Sequence, residues 1–129
     1  MTIKQIQLLF YSAAIFNWLA ALVLFAPLGL AAALGLQPLP IGGPYEGIMI
    51  AAIAVFGVGY FWVALSPREN LSVVKLGLLG KLSVVGVIYV YGFTGVANLH
   101  LVVMATGDLL YSLLFAIYLI NIDKTRYAS

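Results

Sequence analysis

Cysteine is missing from this chain, histidine occurs once, and charged residues make up only 8% of it. Without cysteine there is no disulfide, no thiolate metal site and no thiol relay, so quinone-linked oxidation through a cysteine pair is excluded. Catalytic patterns are lacking too. Ser12, Ser66, Ser72, Ser83 and Ser112 have no adjacent histidine base, no glycine-rich phosphate loop occurs, and no histidine pair has haem or metal spacing. The scarcity of charge decides the class. A soluble domain carries charge on roughly a quarter of its residues, whereas here 64% are hydrophobic and the mean hydropathy is +1.13. The solvent is a bilayer. Six Lys and Arg against four Asp and Glu give a formal charge of +2, which reports membrane orientation and no affinity for nucleic acid.

A span needs about 20 mostly apolar residues, and four stretches supply them: 8–30, 45–65, 71–93 and 99–120. Backbone polar groups in lipid must be satisfied within the segment, and these runs lack the alternation of barrel strands, so they are helices. The first run exceeds the ~7–15 residues of a signal-peptide core and is expected to be a retained span. Pro27 marks its kink or end. Gln37, Pro38, Pro40, Gly42, Gly43 and Pro44 punctuate a loop, within which Leu28 to Leu36 is too apolar for a solvated linker and is expected to form a short interfacial or re-entrant helical piece. Ser66-Pro67-Arg68-Glu69-Asn70 is a short polar turn between antiparallel neighbours, with Ser66 as the helix stop. Lys4, Arg68, Lys75, Lys124 and Arg126 flank the spans on one side only, which places both termini and this turn in the cytoplasm. The expected fold is an all-α, integral membrane, antiparallel four-helix bundle with an interfacial segment in its first extracytoplasmic loop. Ala13, Ala14, Ala20 and Ala21, Ala51, Ala54 and Gly57, and Gly77 and Gly80 offer small surfaces for close helix approach.

Lys81 and Asp108 are the two charges set well inside apolar runs, and a charge in hydrocarbon needs an interior position and a partner. At ~1.5 Å per residue from the cytoplasmic ends, Asn17 and Asp108 lie roughly 18 Å deep, Tyr111 about 14 Å and Lys81 about 10 Å, with Tyr60 near the depth of Lys81. Asn17, Tyr60, Lys81, Asp108 and Tyr111 are therefore expected to form one polar layer. It reads either as an ion pair that fixes helix register, or as the lining of a pocket for a polar head group or a proton-exchanging site. At the opposite rim Glu46 and His100 open the second and fourth spans, with Tyr45, Tyr91 and Asn98 at similar height. One His and one carboxylate make no metal site. The aromatic residues Tyr11, Trp18, Trp62, Tyr89, Tyr118 and Tyr127 read as interface belts and core.

Leu24-Phe25-Ala26-Pro27 at the end of the first span, the Leu34-Gly35-Leu36 connector, Glu46, the 66–70 turn and Gly107-Asp108-Leu109-Leu110 carry a resemblance over most of the chain. The pattern resembles the small four-span bacterial membrane proteins grouped as DoxX-like. That resemblance implies a four-helix bundle in a bacterial inner membrane, acting as an accessory subunit of a redox system or as a membrane-protein chaperone. Only Glu46 is carried over as a matching position, and cysteine-dependent roles of the wider group do not apply. The expected function is non-enzymatic binding of a partner membrane protein or of a lipophilic small molecule, a lipid or quinone, in a narrow cleft or at a groove between protomers. No other cofactor is expected. The alternative is an oligomeric proton-coupled transporter or channel using Asp108 and Lys81; an enzyme acting on a lipid has no motif behind it.

Overall fold

A computed structural model describes residues 1–36, 42–95 and 99–127, without the side chains of His100 and 123–127. The helices are α1 (Ile3–Leu24), α2 (Leu30–Ala33), α3 (Pro44–Leu65), α4 (Leu71–Phe93) and α5 (Leu99–Tyr127), with a 3₁₀ turn at Ala26–Leu28. Four of them are long and apolar enough to cross a membrane: α1, α3, α4 and the Leu101–Ile122 part of α5.

The first helix lies nearer the N-terminus than its apolar run alone indicates. It begins at Ile3 because Thr2 and Gln5 form a capping box: the Gln5 amide donates to Thr2 Oγ1 at 3.2 Å, and the Thr2 amide donates to Gln5 Oε1 at 2.9 Å. It ends at Leu24, and Pro27 sits in the 3₁₀ turn that follows. Gly29, at φ +65°, turns the chain into the four-residue helix α2, within the stretch expected to be a helical piece. Gln37, Pro38 and Pro40 lie outside the described residues. At the other loop Ser66 caps α3, its amide donating to the Trp62 carbonyl, and Asn70 Nδ2 gives the Trp62 and Ser66 carbonyls a second donor at 3.1 and 3.0 Å, tying the turn to the helix end.

The spans pair as α1 with α3 and α4 with α5, and the contact between α3 and α4 is much slighter. Glycines set the closest approaches. A Cβ on Gly57 would stand 2.5 Å from Trp18 Nε1, and one on Gly77 would stand 2.5 Å from Tyr60 Cε1, so each glycine receives an aromatic ring from the neighbouring helix.

The apolar core occupies one half of the bundle. Ile6, Leu9, Phe10, Ala13 and Ala14 of α1 meet Tyr60, Val63 and Ala64 of α3, Val74 of α4, and Phe115, Tyr118 and Ile122 of α5. Phe10 stacks on Phe115 with centroids 4.7 Å apart, and Tyr60 meets Phe115 edge-on at 5.3 Å. Every member lies on the side of Asn17, Gly57, Lys81 and Asp108 that holds the α3–α4 turn. This is the closed half. On the other side α3 has no buried residue between Pro44 and Phe56, and α4 has only Val85 beyond Lys81. That is the open half.

Candidate functional site: a polar layer at mid-bundle

Lys81 stands at the boundary between the halves and is 4% exposed. Its ammonium donates to Asp108 Oδ1 at 2.6 Å and to Asn17 Oδ1 at 3.1 Å. The rings of Phe16, Tyr60 and Tyr111 surround it, with centroids 5.3, 5.2 and 5.3 Å from Nζ. An ammonium has three donors; here two go to oxygens and the rings receive the remaining positive surface. Desolvation of a cation at this depth is offset by one full counter-charge, one amide oxygen and three π faces.

Each partner is fixed by its own helix. Asn17 is buried, and its Nδ2 donates to the Ile53 carbonyl of α3 at 3.0 Å, which orients its oxygen toward Lys81. Next to it Trp18 Nε1 donates to the Ala54 carbonyl at 3.2 Å, over the surface that Gly57 leaves bare. The Tyr60 hydroxyl makes a long contact of 3.5 Å to the Gly77 carbonyl, one turn before Lys81, and offers the ammonium its ring face. Tyr111 does likewise, while its hydroxyl donates to Ser12 Oγ at 3.0 Å, which donates to the Leu9 carbonyl at 2.7 Å. The layer thus joins all four spans: Asn17 and Phe16 from α1, Ile53 and Tyr60 from α3, Lys81 from α4, Asp108 and Tyr111 from α5.

Asp108 differs from Lys81. It belongs to the stripe Ala105, Asp108, Ser112, Phe115, spaced to lie on one face of α5, and the other members are at most 2% exposed, whereas its own side chain is 18% exposed. Oδ1 is taken by Lys81; Oδ2 has no hydrogen bond among the described residues and is not sealed from the surface. A partly exposed carboxylate on an otherwise buried stripe leaves one oxygen free to accept a hydrogen bond. The ammonium is fully engaged, so the group left to recognise another molecule is an acceptor.

Sequence reasoning missed Phe16, whose ring looks like any apolar contact until Gly107 on α5 is seen to receive it, at 3.1 Å from an added Cβ. It also gave Ser12 no role, although Ser12 and Tyr111 are polar residues at matching depth. The rim residues do not assemble in the same way. Tyr45 is 88% exposed and Tyr91 is exposed as well, while both carboxylate oxygens of Glu46 are buried without a hydrogen-bond partner, the nearer one 3.8 Å from where a Cβ on Gly42 would lie. The His100 side chain and Asn98 lie outside the described residues. Among the aromatic residues Trp18 is half-buried and Tyr118 buried, whereas Trp62 is 56% exposed on the outer surface. Among the described residues no three His, Cys, Asp or Glu side chains gather as a metal site would require.

Comparison of the chain with protein-family models, with curated proteins and with solved structures gave no match.

Proposed function

We propose that this is a non-enzymatic integral membrane protein whose open half holds the polar head of a lipophilic molecule against Asp108, in the manner of an accessory or chaperone-like subunit. The observation that carries this reading is the uncommitted, accessible Asp108 Oδ2 on an otherwise buried stripe. A carboxylate oxygen accepts, so the ligand donates: the hydroxyl or amine of a lipid head group, or the hydroxyl of a quinone in its reduced form. The open half is built from apolar spans with few buried side chains, which suits the hydrocarbon that follows. With Lys4, Arg68 and Lys75 at the closed end, the positive-inside rule puts that end and both termini in the cytoplasm, and the open half toward the far face of a bacterial inner membrane. The DoxX-like pattern of the sequence agrees with this placement and with service to a partner membrane protein.

Native mass spectrometry of the protein released from membranes tests the proposal. A discrete small lipophilic mass should be retained by the wild type and lost from the double variant K81M/D108N, which removes both charges together and leaves no unpaired ion. Equal retention by both proteins sinks the assignment to Asp108.

A second reading follows from the ion pair itself. A carboxylate that is both accessible and 2.6 Å from an ammonium is placed to exchange a proton while Lys81 changes partner, as a proton-coupled transporter or channel working as an oligomer requires. Proteoliposomes loaded with a pH indicator separate the two: flux that D108N abolishes supports transport, and no flux above empty vesicles argues against it.

A further inference from the structure

At the closed end of the core, Tyr118 presents a contradiction. It is 3% exposed, and its hydroxyl is buried with no hydrogen-bond partner among the described residues. A buried hydroxyl without an acceptor is costly, and the great majority in folded proteins are satisfied. Phe10 packs on its ring at 5.8 Å, so packing explains the aromatic ring and leaves the oxygen unexplained. Tyr118 also lines a cavity of 30 Å³ together with Met1, Ile3, Ile6, Arg68 and Ile122. By the same measure a single water needs about 10–15 Å³, so the space takes something larger than one water.

Arg68 is the charged wall of this cavity. It projects from the α3–α4 turn and makes no salt bridge among the described residues. Its planar fork matches a phosphate bidentately. The cavity lies at the end of the apolar span of α5 at Ile122, next to the interfacial layer in which lipid head groups sit. Of the six Lys and Arg, five (Lys4, Arg68, Lys75, Lys124 and Arg126) belong to this end by sequence, against the acidic Glu69 and Asp123. We infer that the Arg68–Tyr118 cavity is a binding site for a phosphate group, with the guanidinium pairing the charge and the Tyr118 hydroxyl donating to a phosphate oxygen. It is separate from the Asp108 site, at the other end of the core.

The test uses the full-length protein in detergent, titrated with phosphatidylglycerol, with diacylglycerol, which has the same tails and no phosphate, and with inorganic phosphate. Bound species are read by native mass spectrometry, and Tyr118→Phe and Arg68→Gln are compared with the wild type. Phosphatidylglycerol should be retained and diacylglycerol released. Loss of one charge-assisted hydrogen bond should weaken retention roughly tenfold in each variant. Tyr118→Phe deletes only an unsatisfied oxygen, so its melting temperature should equal or exceed that of the wild type, which separates lost binding from lost fold. If inorganic phosphate also competes in the wild type and not in the variants, the site takes free phosphate as well; if it does not, the phosphate is a lipid's. Retention of diacylglycerol equal to that of phosphatidylglycerol, or unchanged phosphatidylglycerol retention in both variants, overturns the inference.

Discussion

In the closed half, Phe10, Tyr60, Val63, Val74 and Phe115 are at most 1% exposed and come from all four spans; in the open half α3 contributes no buried residue along its first three turns. The same kind of sequence, Leu, Val, Ile, Ala and Gly in apolar runs, builds both. The difference lies in what faces the axis. Large aromatic residues from α1, α3 and α5 interlock on one side of Lys81, whereas on the other side the buried positions of the spans are the small or short Ala21, Val85 and Ala105, with Ala31 and Leu36 added by the α2 segment. Lipid tails are as apolar as leucine, so helices associate through shape and polar contacts. In the open half α4 and α5 still meet, through the Tyr89 and Thr106 hydroxyls at 3.0 Å and through Gly92 against Val102, but no interlocked aromatic core joins the spans there. The charged layer sits where the interlocked aromatic packing ends, and there its hydrogen bonds and ring contacts link all four spans.

That contrast can be broken by substitution. Phe115→Ala removes a ring stacked on Phe10 and met edge-on by Tyr60, and should cost ~3–5 kcal/mol in an unfolding titration in detergent. Val85→Ala in the open half should cost well under half of that. A comparable loss at the two positions would mean that the halves are packed alike.

Lys81→Met alone leaves the Asp108 carboxylate without its counter-charge and should destabilise by about 3–5 kcal/mol, as other broken buried pairs do. K81M/D108N should recover most of it, and the coupling from the double-mutant cycle measures how far the layer acts as a unit. Additive losses would show that each charge is stabilised by something other than its partner.

A smaller effect is expected where glycine admits a ring. Gly57→Ala places a Cβ 2.5 Å from Trp18 Nε1, in the indole itself, and should cost ~1–3 kcal/mol and weaken the Trp18 to Ala54 hydrogen bond, visible as a shift in tryptophan emission. Gly86→Ala, with nothing within 4 Å of the added carbon, is the matched control and should be neutral or mildly stabilising.

Several of these features are legible before any coordinates. A charge in an apolar run has to face inward and find a partner, which is why Lys81 and Asp108 stand out, and helical rise alone brings Asn17, Tyr60 and Tyr111 to nearby depths. Which groups then touch is decided by rotation about each helix axis, and periodicity is a weak guide to rotation when lipid-facing and interior positions are both apolar. Hence depth alone places Tyr111 in the layer without its hydroxyl partner Ser12 and gives no sign of Phe16. The asymmetry between the halves was hidden for the same reason: composition counts apolar residues and is blind to whether a phenylalanine on one helix meets a glycine on the next. Helix ends depend on short-range contacts that hydropathy does not weigh, as the Thr2 and Gln5 capping box shows at Ile3.

The ion pair also bears on how the chain enters the membrane. Lys81 and Asp108 lie on consecutive spans, 27 residues apart. At about 5–20 residues per second, the ribosome delivers Asp108 some seconds after Lys81, and until then α4 would hold an uncompensated ammonium among lipids. Asn17 and the rings of Phe16 and Tyr60 are made earlier and offer that ammonium a first shelter on the α1–α3 pair. Membrane insertion of α4 is then most favourable as a hairpin with α5, and a pause or cleavage between Thr94 and Leu99 would strand the lysine rather than the aspartate.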